Sequence, residues 1–71
     1  MYQIRVSKFN HPEQTEGQHT NGPPNVFLRV DNGLWFIALG FRSINRVEKT
    51  IKAVGVEYFI SAHCSPLGDL A

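Results

Sequence analysis

The sequence predicts an α+β fold: a small antiparallel or mixed four-stranded sheet with one helix packed on one face, in the order β, long loop, β, β, α, β. Three observations predict it. Apolar residues alternate with polar ones at the N-terminus, a turn signal separates two extended apolar runs, and a single 3.6-residue periodicity follows them.

In "YQIRVSKF", Tyr2, Ile4 and Val6 fall on one side and Gln3, Arg5 and Ser7 on the other, which predicts a half-buried strand over residues 2–9. Residues 10–25 contain Gly17 and an Asn-Gly-Pro-Pro run, with no apolar side chain except prolines, and read as a long loop. "NVFLRV" and "LWFIALGF" are then joined by Asp-Asn-Gly, a hairpin signal that makes the second and third strands antiparallel neighbours. Asn32 and Gly33 are the residues expected to take the positive φ of the turn, or residues 31–33 form a turn with a glycine bulge.

Ile44, Val47, Ile51 and Val54 recur at spacings of three and four, which predicts a helix with Ser43 as its N-cap and Gly55 just past its end. Glu48 precedes Lys52 by four residues, the favourable orientation for an ion pair along a helix. "VEYFISAH", residues 56–63, alternates again and reads as the last strand, with a loose tail over 64–71. No linker or repeat divides the chain, so residues 1–71 read as one domain.

The third predicted strand is apolar on both sides. Leu34, Phe36 and Ala38 point one way, and Trp35, Ile37, Leu39 and Phe41 the other. A helix of three turns is about 17 Å long and shields only one set. The polar loop offers little to cover the second, so a second copy of the chain or another protein is expected there, with Trp35, Leu39 and Phe41 as the partner-binding residues.

Composition narrows the function. A chain of 71 residues builds only a small core, and its one cysteine, Cys64, excludes an internal disulfide, which favours a reducing, cytoplasmic setting. Nothing at the N-terminus resembles a secretory signal, and the longest apolar run is far shorter than the ~20 residues of a membrane helix. The net charge of +1 is unevenly spread: residues 41–55 hold Arg42, Arg46, Lys49 and Lys52 against Glu48 alone. Arg42, Arg46 and Lys49 form the candidate anion-binding set, with phosphates of a nucleic acid as the ligand.

Catalytic and metal chemistry lack a pattern. His11, His19, His63 and Cys64 show no C-x2-C or H-x3-H spacing, so no metal or cofactor is expected. Cys64 and His63 are adjacent, which on a strand turns them to opposite faces and separates nucleophile from base. Glu13, Glu16, Asp31 and Glu57 read as surface carboxylates, and the glycines form no phosphate-binding loop.

Residues 35–61 resemble one half of a SPOR-type peptidoglycan-binding domain, in which an aromatic strand, a helix and a glycine lead into another strand. The second half-repeat is missing, and the resemblance assigns no site residue here. The sequence therefore predicts a non-enzymatic interaction or regulatory module that self-associates or docks on a partner protein. The alternative is a nucleic-acid-binding regulator that uses the basic helix.

Overall fold

The computed structural model describes residues 1–9, 11–12 and 22–67. Most of the predicted loop (positions 10 and 13–21) and the end of the predicted tail (68–71) lie outside the described residues. The elements in chain order are β1 (Tyr2–Ser7), β2 (Asn25–Val30), β3 (Trp35–Ala38), α1 (Ile44–Val54), α2 (Val56–His63) and β4 (Cys64–Pro66). The sheet has the order β1-β2-β3-β4, with every neighbouring pair antiparallel. A four-stranded antiparallel sheet with helices on one face is the α+β class that the sequence predicts.

The hairpin between β2 and β3 forms where the Asp-Asn-Gly signal stands. Asp31 and Asn32, with φ of 49° and 63°, are the positive-φ residues, and the Gly33 amide closes the turn on the Val30 carbonyl at 2.9 Å. Gly33 serves by its lack of a side chain, since a Cβ there would lie 3.0 Å from the Val30 oxygen. The resulting register places Arg29 opposite Trp35 and Leu28 opposite Phe36.

Helix α1 follows its sequence signals. The Ser43 hydroxyl accepts from the Arg46 amide at 3.3 Å, and Val47 and Ile51 are buried on the sheet. The amide of Gly55 donates to the Ile51 carbonyl at 2.7 Å and ends the helix. Gly55 has φ 90° and ψ 151°, a conformation essentially confined to glycine. Its own carbonyl accepts from the Phe59 amide at 3.0 Å, so one residue both closes α1 and opens α2.

The second helix corrects the sequence reading, which makes residues 56–63 a strand. Val56, Phe59, Ile60 and His63 also recur at helical spacing, and this second period prevails because it puts Phe59, fully buried, into the core beside α1. Glycine thus leads into a helix, and the strand that the SPOR resemblance requires is absent from positions 56–61. The fourth strand is Cys64–Pro66, part of the predicted loose tail, and Leu67 after it is buried at 6% exposure. The Leu39 amide donates to the His63 carbonyl at 2.8 Å, tying the end of β3 to the end of α2.

Two cores result, one on each side of the sheet. On the helix side, Val26, Leu28, Ala38, Val47, Ile51 and Phe59 pack together, with Ile4, Phe41 and Cys64 against them. On the other side Phe27, Trp35 and Leu67 are buried, with Ile37 against them. Trp35 is only 6% exposed within the single chain, so its burial does not require a second copy. Pro12, near the start of the predicted loop, is also buried.

Candidate interaction surfaces

The register explains which part of the helix-side face stays open. Cross-strand rows run Val6, Val26, Ala38, Cys64 and then Ile4, Leu28, Phe36, Pro66, and the row at the hairpin end begins with Tyr2 and Val30. Val26, Leu28 and Ala38 lie under the helices and are buried. Val30 and Phe36 are only half-buried, and Leu34 beyond them is 64% exposed. With Gly33, Ile60 and Glu57 they line an open groove of about 390 Å³. Its floor is apolar, and Glu57 is its one ionisable residue among those described.

Trp35, Leu39 and Phe41 are not brought together. Trp35 lies on the sheet face away from the helices. Leu39 is 58% exposed just past the end of β3. Phe41 turns to the helix side, where its ring meets Phe59 edge-on at 5.1 Å and His63 at 5.4 Å. The strand ends at Ala38, and the positive φ of Gly40, 82°, breaks the alternation that would have kept Phe41 in step with Trp35.

Arg42, Arg46 and Lys49 are all exposed. Arg46 and Lys49 border a shallow hollow of about 470 Å³ together with Lys52, Asn45 and Glu48. Arg42 instead borders a second hollow beside Pro23, Pro24 and Phe41. The Arg46 guanidinium lies 6.0 Å from the centre of the Phe41 ring. The cationic surface of α1 is therefore built from Arg46, Lys49 and Lys52, with Glu48 offsetting part of its charge.

His63 closes α2 and packs its ring on Phe41 and Phe59, and Cys64 opens β4 against the helix-side core. Burial pushes the Cys64 thiol up to about 11, which keeps it protonated at neutral pH and poor as a nucleophile. No group of three or more His, Cys, Asp or Glu residues placed to hold a metal occurs among the described residues, and His19, Glu13 and Glu16 lie outside them. No helix among the described residues is long and apolar enough to cross a membrane.

No family model matches the chain, and no curated protein or solved structure matches it either.

The sequence pattern does not mark the groove residues Val30, Leu34, Phe36 and Ile60, because its alternation puts Leu34 and Phe36 on the side expected to be covered by the helix. A signal was present in the lengths. Strand β2, with six residues, extends about 20 Å and so outreaches a helix of about 17 Å, which leaves the hairpin end of the sheet uncovered.

Proposed function

We propose that this chain is a non-catalytic interaction module that self-associates through the open groove at the hairpin end of the helix-side face. The observation that carries this reading is the pairing of a knob with a hollow: Leu34 stands 64% exposed beside the half-buried Val30, Phe36 and Ile60. Such a patch is self-complementary about a twofold axis, because Leu34 of each copy enters the hollow of the other.

The interface is small. A standard protein contact buries about 800 Å² per partner, roughly a sixth of the 4944 Å² surface of this chain, and the groove is only the centre of such a patch. Association is accordingly weak and concentration-dependent, which suits a regulatory contact.

Amide chemical shifts followed from micromolar to millimolar protein test the location. Shifts that move with concentration at Leu34, Phe36 and Ile60 support the reading, and shifts that move only at Trp35 or on α1 contradict it.

A second reading rests on the exposed cations Arg46, Lys49 and Lys52 around one hollow: nucleic-acid binding through phosphate contacts. A steep fall in affinity for generic DNA or RNA with rising salt separates it from the first.

A further inference from the structure

The sheet face turned away from the helices carries two arginines over one ring. The guanidinium carbon of Arg29 lies 4.6 Å from the centre of Trp35, and that of Arg5 lies 5.9 Å from it. Strand register produces this: Arg29 stands between Gln3 on β1 and Trp35 on β3, and Arg5 is the diagonal neighbour of Arg29 across the first pair of strands. Gln3 fixes Arg29 further, its Oε1 accepting from Nε at 3.1 Å and from Nη2 at 2.7 Å.

No anion of the described chain answers these charges. The other strand residues on this face are uncharged, and the one ion pair between described residues joins the Met1 amino group to Asp31. Two like charges held over one ring repel each other. Arg29 keeps three of its five N–H donors after bonding Gln3, and no side-chain oxygen among the described residues accepts from Arg5.

We propose that Arg5 and Arg29 form a binding site for a phosphate dianion, presented as a phosphate monoester or as free phosphate. The choice of ligand follows from charge and shape. A guanidinium offers paired donors that match phosphate oxygens, and a monoester carries about −1.5 to −2 at neutral pH, against −1 for a carboxylate or a backbone diester. A dianion answers both arginines at once. Because Arg29 is already held by Gln3 and the Trp35 ring, little side-chain freedom remains to be lost on binding. The site lies on the face opposite the apolar groove, so it stands or falls independently of self-association.

Thermal unfolding at constant ionic strength, with chloride replaced stepwise by inorganic phosphate near neutral pH, is the test. Binding to the folded chain raises Tm progressively with phosphate, by mass action. The rise is lost in Arg5→Gln, whose exposed side chain is not needed for the fold. An equal rise in the wild type and in Arg5→Gln is the general effect of an excluded anion and overturns the proposal. A rise of the same size with acetate overturns the dianion assignment. Phenyl phosphate acting at lower concentration than inorganic phosphate identifies an ester ligand, and the reverse order identifies the free ion. In the wild type, phosphate is expected to move the Nε–H resonances of Arg5 and Arg29 while leaving those of Arg42 and Arg46 in place. The opposite pattern overturns the site without recourse to any variant.

Discussion

Arg29 lies over the Trp35 ring, its guanidinium carbon 4.6 Å from the ring centre, in direct cross-strand register with it. The arginine thus belongs to the cover of the second core, and its removal opens that cover. Arg29→Ala is expected to cost about 1 to 2 kcal/mol, from the lost cation–π contact and the packing of the aliphatic stem. Trp35 is the chain's one tryptophan, so its fluorescence reports the change directly. Quenching by acrylamide should rise in the variant, and unchanged quenching would show that Arg29 shields nothing.

The two-helix reading of residues 44–63 makes a paired prediction. Phe59 is fully buried and Tyr58 is 60% exposed, whereas a strand over 56–63 would have aligned Tyr58 with Val56 and Ile60. Phe59→Ala should cost about 3 to 5 kcal/mol, and Tyr58→Ala no more than about 0.5 kcal/mol. Ile51→Ala on the neighbouring helix should cost about 2 to 5 kcal/mol, with Lys49→Ala as the surface control. Equilibrium urea unfolding ranks all four, and a larger loss at Tyr58 than at Phe59 would restore the strand.

Gly55 joins α1 to α2 with φ 90° and ψ 151°, and a Cβ built there meets nothing within 4 Å. The cost of Gly55→Ala is therefore conformational and not steric, about 1 to 3 kcal/mol. A loss of that size in denaturant unfolding, with the helical circular dichroism signal retained in native buffer, is the expected result. A neutral substitution would mean that the two helices do not need this junction.

The Cys64 thiol gives a pH dependence whose sign is fixed. Its pKa is raised by burial from 9.0 to about 11, so the unfolded chain loses this proton more readily than the folded one. The stability contributed by the neutral thiol is whole below pH 9 and is lost as pH rises toward 11. Cys64→Ala should flatten that alkaline loss. Alkylation by iodoacetamide should accelerate with a midpoint near pH 11 in the folded protein, and a midpoint near 9 would mean that the thiol is solvated.

Much of the fold is legible in the sequence because local signals there had no competitor. The alternation from Tyr2, the Asp-Asn-Gly hairpin signal and the Ser43 cap each find their element, although the positive φ falls on Asp31 and Asn32, one residue earlier than the expected Asn32 and Gly33. Residues 56–63 satisfy both a period of two and a period of 3.6, and only tertiary packing of Phe59 against α1 and Phe41 decides between them. Once that segment became helix, the fourth strand had to come from Cys64–Pro66, a run too short to show any period. The surfaces were less legible than the elements. Trp35, Leu39 and Phe41 share a parity, but the strand ends at Ala38, and parity carries no information past that point. The exposure of Leu34 and the half-burial of Phe36 depend on how far two helices reach over the sheet, which no local pattern records.

Sedimentation equilibrium of the wild type beside Leu34→Glu measures the proposed self-association most directly. Leu34 is 64% exposed in the single chain, so a carboxylate there is tolerated by the fold and is desolvated only in an assembly. The wild type is expected to show a reversible monomer–dimer equilibrium in the high-micromolar range, with Leu34→Glu monomeric at the same concentrations and of unchanged Tm. A wild type that stays monomeric into the millimolar range, or a Leu34→Glu variant that associates as the wild type does, would contradict the account.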